Sequence, residues 1–79
     1  MNIAQQIILN SKEETVINRW AQGKSFPLRL VQRAQIIQLA TQGVFNHDIA
    51  KQLNISKPTV QLWRERFLAL RLSGLEKDV

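Results

Sequence analysis

The stretch Asn46-His47-Asp48-Ile49-Ala50-Lys51-Gln52-Leu53-Asn54-Ile55-Ser56-Lys57-Pro58-Thr59-Val60-Gln61-Leu62-Trp63-Arg64-Glu65-Arg66 decides the fold. Asn46 can cap a short helix over residues 47–53, whose inward residues are Ile49, Ala50 and Leu53. Asn54-Ile55-Ser56 reads as a tight turn: asparagine tolerates the left-handed conformation, and Ile55 can tuck into a core. Ser56 then caps a second helix, and Pro58 in its first turn lacks only an amide that would be orphaned anyway. That helix should reach about residue 70, with Val60, Trp63, Phe67 and Leu70 on one stripe.

A small residue, Ala50, stands where the two helices would cross. A turn follows four residues later, and Val60 and Trp63 dock the second helix. This is the spacing of a helix-turn-helix, with Asn54 in place of the usual turn glycine. Two amphipathic helices joined by chance seldom meet all these requirements in register.

The second helix divides into faces. With Val60, Trp63, Phe67 and Leu70 inward, Pro58, Gln61, Leu62, Glu65 and Ala69 point outward. Lys57 and Arg64 border one flank and Arg66 the other. A helix in the major groove needs this layout, with base-reading side chains on its outer face and cations at the groove walls. Gln61 can pair with an adenine edge, and Leu62 can touch a thymine methyl group. Ser56 and Thr59 in the capped first turn, with Lys57, Pro58, Gln61, Leu62, Arg64, Glu65 and Arg66, form the expected DNA-contact set. Each also has a plainer reading. Gln61 and Glu65 can be solvated surface, Leu62 can serve a partner interface, and Arg64 and Arg66 can pair with Glu65 or solvate the helix. His47, beside a helix start, can meet a phosphate or face water.

Working outward, Pro27 suits the first turn of a helix that ends near Gly43. Its apolar residues lie on two sides, Leu30, Ala34, Ile37 and Ala40 on one and Ile36 and Leu39 on another, as expected of a central helix packed between neighbours. Ser11-Lys12-Glu13-Glu14 has the form of a capping box for a first helix over residues 12–22, striped by Val16, Ile17 and Trp20 and stopped by Gly23. Within the lead-in over residues 1–10, Ile7-Ile8-Leu9 suits either a brief strand or a packing arm. The expected fold class is therefore all-α, a small helical bundle containing a helix-turn-helix, in one domain over residues 1–79.

The 79 residues are 44% apolar and 22% charged, which favours a folded chain with room for one modest core. With no cysteine and one histidine, neither disulfides nor a zinc site is expected to hold it. The formal net charge is +5. Nine Lys or Arg against two acids between Arg19 and Arg71 concentrate +7 there and leave −2 at the two ends. A basic centre is a footprint for a polyanion, of which nucleic acid is the commonest, although many basic surfaces merely keep a small protein soluble. No apolar run is long enough to span a bilayer, and no basic residue precedes Ile7, so a membrane span and a signal peptide are not expected. A cytoplasmic location is the default. No nucleophile–base pair, glycine-rich phosphate loop or metal cluster supports catalysis, and no cofactor or small-molecule ligand is expected. Glu13 and Glu14 read as capping and solvation, and Trp20 and Trp63 as core.

The chain resembles the N-terminal DNA-binding region of bacterial insertion-sequence transposases related to the mariner superfamily, with a homeodomain- or paired-like fold. The similarity runs over residues 9–75, nearly the whole chain. It rests on Leu30-Val31-Gln32-Arg33-Ala34-Gln35-Ile36-Ile37, Gly43, Asp48-Ile49-Ala50, Leu53-Asn54-Ile55-Ser56-Lys57-Pro58-Thr59-Val60, Trp63-Arg64-Glu65-Arg66-Phe67 and Gly74-Leu75. The resemblance implies binding to the terminal inverted repeats of a mobile element, in the bacterial nucleoid, by the first of two helical subdomains. Such transposases continue into a metal-dependent catalytic domain that these residues do not contain, so the chain is expected to bind DNA without cutting it. Arg71 departs from the pattern, standing where relatives often carry glycine, which suggests a longer last helix and a different exit.

Double-stranded DNA is thus the expected partner, with a homodimer as an open option. A stand-alone transcriptional regulator and a helical protein-interaction module with a basic face are the competing readings. Membrane-surface binding conflicts with the need for the tryptophans in the core. Trp63→Ala should cost roughly 3–5 kcal/mol if the ring packs between helices. A thermal melt checks this, and a variant that melts like the wild type yet loses DNA binding would place the ring on the surface.

Overall fold

The computed structural model describes residues 6–77. Residues 1–5 and 78–79 lie outside them, and with them most of the opening segment read for a leader and both ends of the expected 1–79 domain. Five helices follow one another: α1 Ser11–Ala21, α2 Leu28–Thr41, α3 Asn46–Leu53, α4 Lys57–Leu70 and α5 Leu72–Glu76. Among the described residues there is no strand, and the fold is all-α.

Helix α2 is the central element, packed against each of the other four. Its buried residues, Val31, Ala34, Ile36, Ile37 and Ala40 with Arg33, cover two sides of the helix, as its pattern implied. Ile17 and Trp20 of α1, Ile49 and Ala50 of α3, Val60, Trp63 and Phe67 of α4 and Leu75 of α5 close one apolar core around it. Residues 6–10 before α1 are not a strand; Ile7, only 2% exposed, fills the core from that end. Gly23 and Gly43 end α1 and α2 at φ +82° and +85°, conformations that cost glycine little.

Several boundaries differ from the sequence reading for local reasons. The α1 capping box is one residue earlier than Ser11–Glu14. Asn10 Oδ1 accepts from the Glu13 amide at 2.7 Å, and Glu13 Oε1 accepts from the Asn10 amide at 3.2 Å. Both frames fit the motif, but only Glu13 also faces the interior, where it meets Arg71. Asn46 does not cap α3. Phe45 holds the extended cap conformation, and its carbonyl accepts from the amides of Asp48 and Ile49. Asn46 is drawn into the first turn, where its buried Oδ1 has no hydrogen-bond partner.

Helix α4 ends at Leu70, as its periodicity implied, and the longer last helix suggested by Arg71 does not occur. The difference is in the stripe: Leu70 is 48% exposed instead of completing its inward side. Arg71 takes φ +58°, ψ −137°, a glycine-like backbone that costs a side-chain-bearing residue about 1–3 kcal/mol. Its side chain offsets that cost. Nε and Nη2 donate to the Glu13 carboxylate at 2.9 and 2.6 Å, Nη2 also donates to the Ile8 carbonyl at 2.7 Å, and the guanidinium lies 4.6 Å from the Phe67 ring centre. The reversal lays α5 back along α4, so closely that a Cβ on Gly74 would collide with the Arg66 carbonyl.

The Arg71 hydrogen bond, with help from the Asn10 amide and against the opposing effect of burial, holds the Glu13 carboxyl below its ordinary 4.5. A lowered carboxyl stabilises the fold above its unfolded pKa, and that stability is lost as pH falls through the folded value. Glu13→Gln should cost about 1–2 kcal/mol at pH 7, less than a fully buried pair because the Arg71 side chain is 40% exposed. The gap should narrow below pH 4.5 and close once wild-type Glu13 is itself protonated. Urea unfolding of both proteins at neutral and acidic pH measures it; a constant gap would mean that the carboxylate charge contributes nothing.

Candidate nucleic-acid interface

Helices α3 and α4 join through Asn54, whose φ +58°, ψ +47° is the left-handed conformation the turn requires. The Ile55 amide donates to the Ala50 carbonyl at 2.9 Å, which turns Ile55 against the core. Ser56 opens α4 by accepting from the Thr59 amide at 3.3 Å, and its hydroxyl shares a 2.7 Å hydrogen bond with the Thr59 hydroxyl. Both hydroxyls are thus engaged in the cap, with Ser56 exposed and Thr59 half-buried.

The rear of α4 is sealed by Val60, Trp63 and Phe67. On the opposite face Pro58, Gln61, Leu62, Glu65 and Ala69 are exposed, the outward set read from the sequence. Gln61 Nε2 donates to Glu65 Oε2 at 3.1 Å along this face. Lys57 is exposed at its N-terminal edge.

The other two cations expected at the groove walls are placed differently. Arg64 is only 6% exposed, and burial pushes its pKa down from the usual arginine range. Position 64 continues the inward stripe of Val60, Phe67 and Arg71 at helical spacing, which draws this side chain inward. Arg66 is half-buried. Its Nε donates to the Gly74 carbonyl at 3.2 Å, its Nη2 to the Lys77 carbonyl at 3.5 Å, and its guanidinium lies 5.5 Å from the Trp63 ring centre. Arg33 of α2 sits over the same ring at 3.8 Å and donates to the Leu75 carbonyl at 2.9 Å. Of the nine cations counted in the basic centre, Arg33, Arg64, Arg66 and Arg71 are therefore engaged within the fold. Arg19, Lys24, Arg29, Lys51 and Lys57 are exposed.

Two candidates were not singled out from the sequence. Lys51 and Gln52 are exposed on α3, the helix that in such motifs crosses the DNA backbone. Their signal was available, since both lie off the Ile49, Ala50 and Leu53 stripe. His47, on the first turn of the same helix, stacks on the exposed Phe45 ring at 6.1 Å and lies 3.3 Å from the Asp48 carboxylate. A groove of about 440 Å³ runs between the arm, α1 and α2, and no residue of α3 or α4 lines it. Among the described residues no helix is long and apolar enough to cross a membrane.

The family model for a homeodomain-like domain matches residues 27–76, from the cap of α2 to the end of α5. No curated protein and no solved structure matches the chain. The match covers more than half of the residues, and the chain belongs to the homeodomain-like domain family. A helix-turn-helix domain of this kind suggests DNA as the partner.

The burial difference separates two basic residues of α4. Lys57→Ala should leave the melting temperature unchanged and, if Lys57 meets a phosphate, weaken binding to every duplex alike while reducing the salt slope of log K by about one unit. Arg64→Ala should instead lower stability by about 1–3 kcal/mol through the packing lost at a side chain only 6% exposed. Thermal melts and a salt series on both variants distinguish these effects; a reduced slope with an unchanged melt for Arg64→Ala would put that side chain on the phosphate backbone.

Proposed function

We propose that this homeodomain-like domain binds double-stranded DNA with sequence preference, laying the outer face of α4 in the major groove. The observation that carries the reading is the division of α4 itself. One face is closed by Val60, Trp63 and Phe67, and the opposite face presents Gln61 and Leu62 one turn beyond a capped N-terminus, with Glu65 one turn further on and Lys57 at its edge. That turn is where helix-turn-helix proteins meet base edges. Lys51 and Gln52 are exposed on α3, the helix that in such motifs crosses the adjacent backbone, and the amides at the start of α4 suit a phosphate. Gln61 offers a donor and an acceptor to adenine, and Leu62 an apolar contact to a thymine methyl group.

The finer reading is recognition of the terminal inverted repeats of an insertion sequence. It is supported by the resemblance to mariner-related transposases through Ser56-Lys57-Pro58-Thr59-Val60 and Trp63-Arg64-Glu65-Arg66-Phe67. The role proposed is recognition alone; strand cleavage belongs to the acidic catalytic domain of the proteins it resembles. Inverted repeats flanking the reading frame that contain the selected site would support this role, whereas a single site in the frame's own promoter would favour a regulator.

Gln61→Ala should cost about 1–3 kcal/mol on the preferred site and flatten discrimination at one base pair, with binding to random duplex nearly unchanged. Selection of bound sequences from a random pool, run side by side for both proteins, provides the measurement. Identical motifs would remove Gln61 from base reading, and a wild type that selects none would reduce the domain to a nonspecific DNA binder.

A further inference from the structure

Glu65 is the only acid between Asp48 and Glu76, and it stands in the middle of the exposed face of α4. A duplex carries a phosphate charge for about every 1.7 Å of its axis, so a carboxylate there opposes binding to any DNA. A group that weakens binding in general adds to selectivity when the correct partner satisfies it and the wrong one does not.

The hydrogen bonding on this face specifies that partner. Gln61 Nε2 donates to Glu65 Oε2, which engages one amide hydrogen and leaves Oε1 and the second hydrogen available to a base. The carboxylate accepts that one bond and has further lone pairs but no hydrogen to give. In the major groove only the amino groups of cytosine N4 and adenine N6 can satisfy it; guanine O6 and N7 and thymine O4 are acceptors and repel it.

We propose that Gln61 and Glu65 act as one reading unit, in which Glu65 selects an amino-bearing base on the strand it faces and orients the Gln61 amide for the neighbouring base. The inference rests on the major-groove reading of α4 and adds the determinant that sets its selectivity. The two residues are four apart, which is about 6 Å along the helix. Bases on one strand are about 3.4 Å apart, so the two specified positions lie within about two base steps of each other. Cytosine or adenine is expected under Glu65, and adenine under Gln61.

The experiment is selection from a random duplex pool by the wild type, Glu65→Gln, Gln61→Ala and the double variant, followed by affinities on single-base variants of the selected site. Both side chains are exposed, so folding is not at stake. Glu65→Gln removes the charge and adds a donor. It should bind random duplex more tightly, lower the preference at its own position by about tenfold and admit guanine or thymine there. It should also weaken the preference at the Gln61 position by about threefold, and Gln61→Ala should have a smaller effect in the Glu65→Gln background than in the wild type. An unchanged motif in Glu65→Gln, or independent effects of the two substitutions, overturns the proposal while leaving the DNA-binding reading intact. A wild type that binds duplex but selects no motif overturns both.

Discussion

The Arg33 guanidinium over the Trp63 ring fixes the element on which the rest depends. Arg33 extends from α2, covers the ring on α4 at 3.8 Å and donates to the Leu75 carbonyl in α5 at 2.9 Å, so one side chain ties three helices together. A charge this far from water needs such partners, and a desolvated cation on a tryptophan face is worth about 2 kcal/mol. The consequence for the surface is geometric. Each residue turns a helix by about 100°, so holding Trp63 inward places Gln61 and Glu65 about 160° away on either side, within about 40° of each other. The clamp behind α4 thereby determines which side chains stand in front.

A second node performs the same service at the ends of the chain. Arg71 joins the Ile8 carbonyl of the arm, Glu13 of α1 and the Phe67 ring of α4. It does so from a backbone conformation that would suit glycine, and the ion pair compensates for that strain. Because α1 otherwise packs chiefly on α2, this pair ties the first helix to the end of α4 as well. The sharp reversal it allows brings Leu75 into the core and Gly74 against Arg66.

These two nodes change the electrostatic picture. A count of formal charges assigns nine cations to the middle of the chain, yet four guanidiniums there brace helices, cover aromatic rings or are otherwise buried. Arginine suits this work because its planar fork donates in several directions and stacks on rings, and its stem covers apolar surface. Three of the five exposed cations are lysines, among them Lys51 and Lys57 on the two helices of the motif. A surface of this kind offers a polyanion only modest charge, and on the function proposed above discrimination would fall to the few polar groups on α4.

Sequence alone determined the helix-turn-helix, because its signals are local. Asn54 tolerates positive φ, Ser56 supplies a cap, Pro58 fits only a first turn, and Val60, Trp63 and Phe67 repeat at helical spacing. The same periodicity marked Gln61, Leu62 and Glu65 as outward, and it held the clue to the buried charges. Glu13 lies on the stripe of Ile17 and Trp20, Arg33 on that of Ile36, Ile37 and Ala40, and Arg64 and Arg71 on that of Val60 and Phe67. A stripe read by hydrophobicity skips such positions, since a charge is inward only when a distant group satisfies it. Those groups, the Leu75 carbonyl for Arg33 and Arg71 for Glu13, are 42 and 58 residues away along the chain. The choice of Asn10 over Ser11 as cap, the outward turn of Leu70 and the inward turn of Arg64 were decided by tertiary structure, because each depends on what the fold brings alongside.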